Sequence, residues 1–584
     1  MCGIFAYKGK RNATKTVFEG LKKLEYRGYD SWGMAFKKEN KIQTIKEVGK
    51  IAEFNEKIPE NADYAIGHTR WATHGKVNEK NAHPQLSNNK KIAVIHNGII
   101  DNYMKIKNIL MGKGYNFKSQ TDTEVIPNLI QENMKKSSFR EAVKKSLKTL
   151  EGSFAIVAIS QDSNEIIAAK KMSPLVLGIQ DNEFFVSSDV AAFLSYTDKA
   201  IIMDDNEMAV IENDIEILNF KENKKITKKA KSIGMNYEEA EKGGFKHFLI
   251  KEISEQEESI MRAINQDREF IENIAKQIDN AFGVFFVSCG TSYHACLSAS
   301  YLFSKIVKKH VNVVLASEFI NYKHFLTENT LVIAVSQSGE TADVLDAVRT
   351  AREKNSRIIS IVNVPGSSLT RISDEVIPMN AGQEVSVLST KSYTSQLAIL
   401  TLIAYACAGK YEKGLGLIRK SAYYIKKIIS NDRKKIKILA QKLKDKKDIF
   451  IIGRGLAFPT ALEAALKIKE VSYIHAEGLA GGELKHGTLA LIEDGVPVIV
   501  ISTSDSEANI ENNANEIKSR GGFMIGFNSN ESNIYDYFIK IPSLENMEPL
   551  ITIVPIQLLS YYLALYRKCD PDKPRNLAKS VTVR

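Results

Sequence analysis

Short apolar runs bounded by Gly, Asp and Asn punctuate the first ~230 residues: Ala93-Val94-Ile95-His96, Phe154-Ala155-Ile156-Val157-Ala158-Ile159 and Phe184-Phe185-Val186-Ser187 read as strands. Between them, apolar positions recur at helical spacing around Asp122 to Lys135 and Ser138 to Leu150. From Lys221 to Gly244 the chain is charge-dense, shows little apolar periodicity and ends in Gly243-Gly244, the pattern expected of a link between domains. Beyond about Phe270, compact apolar strands alternate with longer helices, which predicts parallel α/β sheets.

This second half also repeats itself. Val284-Phe285-Phe286-Val287-Ser288-Cys289-Gly290 returns as Ile449-Phe450-Ile451-Ile452-Gly453-Arg454-Gly455, Leu331 to Thr341 as Pro497 to Glu507, and Arg357-Ile358-Ile359-Ser360-Ile361 as Gly522-Phe523-Met524-Ile525-Gly526. The three offsets lie near one value, so two copies of a doubly wound domain are expected, meeting near residues 425–435. A chain of 584 residues exceeds one core, and ~100–200 residues per domain suggests three. The expected boundaries are 2–236, a linker at 237–250, 251–428 and 429–584.

Composition narrows the function classes. Apolar content of 44% and charged content of 26% are those of a soluble globular chain. The net charge of +11 is carried by dispersed lysines, as on solvated helix faces, and no nucleic-acid partner is expected. Five cysteines lie far apart without CxxC spacing, so neither a disulfide scaffold nor a metal site is expected. The start of the chain lacks the basic-then-apolar pattern of a signal peptide. The most membrane-like stretch, Pro549 to Tyr566, contains Pro555, Gln557 and Ser560 and reads better as a buried helix. A cytoplasmic location follows as the expectation.

Candidate chemistry begins at Cys2. Removal of Met1 leaves a cysteine with a free α-amine, whose pKa of ~7.7–8.0 sits just below that of a thiol at ~8.5, so nucleophile and base share one residue. A lone terminal Cys is more often a small buried hydrophobe. Its company changes that: Leu24-Glu25-Tyr26-Arg27-Gly28-Tyr29-Asp30-Ser31, Gly67 to Gly75, Asn81-Ala82-His83-Pro84, His96-Asn97-Gly98-Ile99-Ile100 and Thr121-Asp122-Thr123-Glu124 resemble, in order, the class II (N-terminal nucleophile) glutamine amidotransferases. The resemblance implies an αββα Ntn-hydrolase sandwich. It also implies an oxyanion hole from the Asn97 side chain and the Gly98 N–H, an Arg70 clamp on the glutamine carboxylate, an Asp122 clamp on its ammonium, and a closing loop with Trp71, Thr73 and His74.

In the second half, the strand ending at Val335 leads into Ser336-Gln337-Ser338-Gly339-Glu340-Thr341 and then a helix from Ala342 to Lys354. Strand, hydroxyl-rich turn and helix N-terminus form an anion site, and without P-loop spacing a sugar monophosphate is the expected anion. Cys289-Gly290-Thr291-Ser292 adds hydroxyls at the same sheet edge, whereas the second copy has Gly453-Arg454-Gly455-Leu456 there, so phosphate is expected on the first copy only. Together these segments resemble the sugar isomerase (SIS) domain. On a helix from Thr460 to Ile474, Glu463, Lys467 and Glu470 share a face; spacing alone would make them a surface ladder.

The surrounding sequence Ala464 to Glu477, with Gly482-Glu483-Leu484-Lys485-His486-Gly487, Ser389-Thr390-Lys391 and the tail Pro574 to Val583, resembles the glutamine:fructose-6-phosphate aminotransferase (isomerizing) family. The resemblance spans the chain and implies conversion of L-glutamine and D-fructose 6-phosphate to glucosamine 6-phosphate, opening amino-sugar biosynthesis, without a cofactor. It further implies ring opening by His486, a Schiff base on Lys579, proton transfer by Glu470 aided by Lys467, and phosphate or sugar contacts from Thr291, Ser292, Ser336, Gln337, Ser338, Thr341, Val387 and Ser389. A homodimer, with His486 offered across its interface, and an ammonia channel gated by Trp71 belong to the same expectation. Trp32, Thr488 and Arg584 depart from the family pattern. The competing readings are an amidotransferase with another acceptor and a non-catalytic sugar-phosphate sensor; the absence of pyrophosphate-binding loops opposes the first, and Cys2, Glu470 and Lys579 oppose the second.

Overall fold

A computed structural model describes residues 2–60, 62–72, 74–233 and 242–582. Thr73 and Arg584, singled out above, lie outside the described residues. Contacts divide the chain into two compact units, one formed by residues up to 241 with the tail from Ala578, the other by Lys242–Leu577.

In the first unit, antiparallel pairing builds two sheets. One runs Lys231–Ser232, Lys199–Ile202, Val176–Gln180, Glu183–Ser187, Gly3–Lys8, Tyr64–Arg70, Ser31–Lys38, Lys41–Val48, and the other Lys224–Ile226, Ile215–Asn219, Glu207–Ile211, Ile166–Lys171, Gly152–Ser160, Ile92–Ile100, Gln85–Leu86. Alternation sorts each strand between layers. Ile4, Ala6, Ala93 and Ile95 meet between the sheets. Phe5 and Tyr7 turn outward into a core with Val17 and Leu21 of helix Ala13–Leu24. Ile92 and Val94 point the opposite way, toward helices Tyr103–Met111, Val125–Met134 and Phe139–Thr149. The result is the expected αββα sandwich. Trp32, one of the departures from the family pattern, is buried at 1% exposure and packs edge-on to Phe18 and Phe54, with ring centroids 5.6 and 5.0 Å away.

The charge-dense stretch is not a link throughout. Lys224–Ile226 and Lys231–Ser232 pair at sheet edges, and Phe248 already opens a helix of the second unit. Residues 234–241 lie outside the described residues.

The second unit contains two five-stranded parallel sheets with the same strand order. Asn312–Leu315, Gly283–Ser288, Thr330–Ser336, Arg357–Val362, Glu375–Pro378 is matched by His475–Ala480, Asp448–Gly453, Pro497–Ile501, Phe523–Asn528, Tyr537–Lys540. The copies meet where helix Tyr411–Asn431 ends and helix Arg433–Leu443 begins. Each strand again divides its side chains. Phe285 and Phe450 face separate outer cores, while Val284, Phe286, Ile449 and Ile451 join one core common to both copies. That core contains helices Lys391–Cys407, Ala457–Ser472 and Glu548–Tyr566. The last is long and apolar enough to cross a membrane, yet it is mostly buried and lies among the helices of this core.

Candidate active sites

Strand Gly3–Lys8 lies between Glu183–Ser187 and Tyr64–Arg70, with Gly3 opposite Thr69. Antiparallel register therefore delivers Cys2, at the head of the strand, to the end of its neighbour, where the Trp71 N–H donates to Sγ at 3.3 Å. Burial pushes the Cys2 thiol pKa up, against the pull of the Trp71 N–H and the Arg70 guanidinium. A thiol held up in this way needs a base to ionise it.

The oxyanion-hole candidates come from the facing sheet. Asn97 Nδ2 donates to the Cys2 carbonyl at 2.9 Å. The Asn97 carboxamide oxygen accepts from His68 Nε2 at 3.0 Å, and the same nitrogen reaches the His96 carbonyl at 3.1 Å. Burial drives His68 down to about 3, so it is a neutral imidazole, and its two acceptors place the proton on Nε2. His68 thereby fixes which end of the Asn97 amide faces Cys2. Next in the strand, Gly98 has φ of +114°, and a Cβ there would lie 2.1 Å from the Ser153 carbonyl oxygen. Only glycine fits that backbone.

Opposite charges line the same pocket. Arg70 sits at the end of its strand, 3% exposed, and its guanidinium donates to the carbonyls of His74, Gly75 and Lys76, tying the following loop around it. Asp122 accepts the Ile100 N–H at 2.8 Å and is also buried. The walls comprise Cys2, Arg70, Trp71, His74, Asn97, Gly98 and Asp122, all expected from the sequence, and additionally His83, His96, Thr121, Thr123 and Thr582 of the tail. His68 was legible only as part of a motif; alternation puts it on the face of Arg70, but its pairing with Asn97 crosses between sheets and has no signal along the chain.

In the second unit, the catalytic-helix candidates are not a surface ladder. On helix Ala457–Ser472, Glu463 and Lys467 are fully buried. Lys467 Nζ lies 3.4 Å from Glu463 and 2.8 Å from Glu470, and it donates to Thr291 Oγ1 of the first copy at 2.9 Å. Burial works to lower the Lys467 pKa, but the two carboxylates outweigh it and the net shift is upward, so the amine stays protonated.

The first-copy turn has the anticipated geometry. Strand Thr330–Ser336 runs into helix Ala342–Arg352, Ser336 Oγ accepts the Gly339 N–H at 3.0 Å and lies 3.3 Å from Thr341 Oγ1, and Gln337 and Ser338 are half-buried. Thr291 and the buried Ser292 open helix Gly290–Leu302. In the matching turn of the second copy, Thr503 is bonded to Asp505 at 2.7 Å and Ser504 to Glu548 at 3.0 Å. Val387 is buried, its N–H donating to the Asp572 carbonyl at 3.1 Å, and Ser389 is half-buried two residues on. His486 is exposed at the end of a 3-10 turn, with Thr488 opening the next. Lys579 lies in the tail that groups with the first unit, whereas Glu470 and the hydroxyl turn lie in the second.

Residues 68–195 match the glutamine amidotransferase domain, and residues 277–406 and 442–567 each match the SIS domain. A glutamine–fructose-6-phosphate aminotransferase (isomerizing) of Thermococcus kodakarensis is 44% identical over the full length of both chains, and that of Clostridium perfringens is 41% identical, again over both full lengths. The chain belongs to this family. Among solved structures, the C-terminal domain of the Francisella tularensis glucosamine-fructose-6-phosphate aminotransferase is 32% identical, covers 57% of this chain and all of its own, and superposes with a TM-score of 0.51. The tagatose-6-phosphate ketose/aldose isomerase of Escherichia coli, 18% identical, covers 56% of this chain and 95% of its own and shares the fold at a TM-score of 0.51.

Proposed function

We propose that the chain transfers the amide nitrogen of glutamine to fructose 6-phosphate, giving glutamate and glucosamine 6-phosphate. The observation that carries this reading is the coexistence, in one chain, of a half-buried Cys2 facing the Asn97 amide and a protonated lysine clamped between two carboxylates against a hydroxyl-rich helix start.

In the first unit, the α-amine left by removal of Met1 takes the Cys2 proton, and the thiolate attacks the glutamine carboxamide. Asn97 Nδ2 and the Gly98 N–H receive the oxyanion, while Arg70 and Asp122 hold the two ends of the zwitterion. Ammonia leaves, and water releases glutamate from the thioester. In the second unit, Ser292, Ser336, Gln337, Ser338 and Thr341 hold the phosphate, with Thr291, Val387 and Ser389 beside the sugar. His486 opens the ring, Lys579 forms a Schiff base with the C2 ketone, and ammonia displaces the lysine. Glu470 then moves one proton between C1 and C2. Lys467, being held charged, supplies positive potential rather than a nucleophilic amine, which leaves the Schiff base to Lys579. Trp71, on the wall of the thiol pocket, gates the release of ammonia to the second reaction. The enzyme acts as a cytoplasmic homodimer, its exposed His486 offered to the sugar site of a second copy.

The test is Cys2→Ala. Synthesis of aminosugar from glutamine should vanish while isomerisation of the sugar phosphate continues at the wild-type rate; loss of both activities in a folded variant refutes two separate sites.

A further inference from the structure

We propose that His294 of the first copy and Glu463 of the second form a positioning pair for the isomerase reaction, steering Lys467 and through it Glu470; the inference rests on the role given above to that helix. His294 Nδ1 lies 2.8 Å from Glu463 Oε2. His294 follows Thr291 by three residues on helix Gly290–Leu302, so one helix face contributes both contacts to the catalytic helix, Thr291 on Lys467 and His294 on Glu463. Glu463 has no solvent exposure and its Oε1 makes no hydrogen bond, so the charge depends on the Lys467 ammonium and on the contact to His294. Its Oε1 lies 3.4 Å from Lys467 and its Oε2 meets His294.

The groups around this carboxylate are His294 from one helix, Lys467 and Glu470 from its own, and Tyr393 from helix Lys391–Cys407, whose hydroxyl pKa is raised by burial and then by the charge of Glu463. Lys467 therefore divides its charge between a fully buried carboxylate and Glu470, which keeps 20% side-chain exposure. While His294 satisfies Glu463 Oε2, Lys467 stays at 2.8 Å from Glu470. Without His294, Glu463 is left with Lys467 and draws it closer, so Glu470 loses the partner that orients it. An apolar pair would fill the same space at less desolvation cost, so the pair's value lies in orientation rather than stability.

The experiment measures kcat and KM for isomerisation of fructose 6-phosphate without glutamine, with circular dichroism and thermal unfolding of the same preparation as the folding control and glutamine hydrolysis as the control for the first unit. His294→Phe should lower kcat at least tenfold at unchanged KM and unchanged glutamine hydrolysis. His294→Asn, which keeps an N–H donor for Glu463, should recover most of that loss. Glu463→Gln should match His294→Phe, and the double variant should be no worse than either single one. Wild-type kcat in His294→Phe, a change confined to KM, or additive losses in the double variant overturns the pair. Should His294→Phe fail to fold, Glu463→Gln decides: a tenfold loss sustains the pair and an unchanged kcat overturns it. A wild-type enzyme that does not isomerise the sugar phosphate refutes instead the role assigned to the helix.

Discussion

At Asn97 the choice between two amide orientations is made by a neighbour. His68 Nε2 donates to the carboxamide oxygen, which leaves Nδ2 to face Cys2. Replacing His68 by Phe should free the amide to flip and slow glutamine hydrolysis by up to about a hundred- to a thousandfold, the ~2.7–4 kcal/mol that one oxyanion donor supplies. Steady-state kinetics with glutamine check this, and an unchanged kcat would remove His68 from the site. Burial also makes His68 sensitive to acid. Its folded pKa of about 3 lies below the ordinary 6.5, so between those values the unfolded chain binds a proton that the folded chain refuses. The associated stability is complete above pH 6.5 and declines as pH falls toward 3, by about 2 kcal/mol at pH 5 for this residue. His83 and His96 are shifted in the same direction by burial. The urea midpoint for loss of glutaminase activity should therefore drop between pH 7.5 and pH 5, and the drop should be smaller in His68→Gln.

On the scale of elements, the hydroxyl turn after strand Thr330–Ser336 acts as a preformed cap. Ser336 Oγ already binds the Gly339 N–H and neighbours Thr341, so the turn presents its donors before any phosphate arrives. Ser336→Ala should raise KM for fructose 6-phosphate about ten- to a hundredfold, roughly the 1.5–3 kcal/mol of a charge-assisted hydrogen bond, and leave glutamine hydrolysis untouched. This turn, its repeat and the parallel sheets were legible in the sequence because strand, hydroxyls and helix follow one another along the chain. Lys224–Ile226 and Lys231–Ser232 were not: short, lysine-rich edge strands bury no apolar face, so they read as solvated linker. Burial of the Glu463–Lys467–Glu470 face was equally hidden, because spacing reports which residues share a face and not what covers it.

For the molecule as a whole, the two chemistries legible in the sequence have to be coupled. Trp71 borders the thiol pocket immediately after Arg70. With Trp71→Ala, glutamate should form several-fold faster than aminosugar when both substrates are present, since an open path lets ammonia escape and protonate. Equal yields would exclude Trp71 as the gate.

The duplicated sheets share their inner core with helix Glu548–Tyr566, which packs on helices Ala457–Ser472, Arg433–Leu443 and Tyr411–Asn431. That rod follows, along the chain, every strand and helix it packs against. Until it is made, the helices it covers lack their apolar partner, and the rod by itself is long and apolar enough to enter a bilayer. Truncation just before Glu548 should therefore give an aggregated second unit rather than a shorter one that still isomerises, which sedimentation of the expressed variant checks.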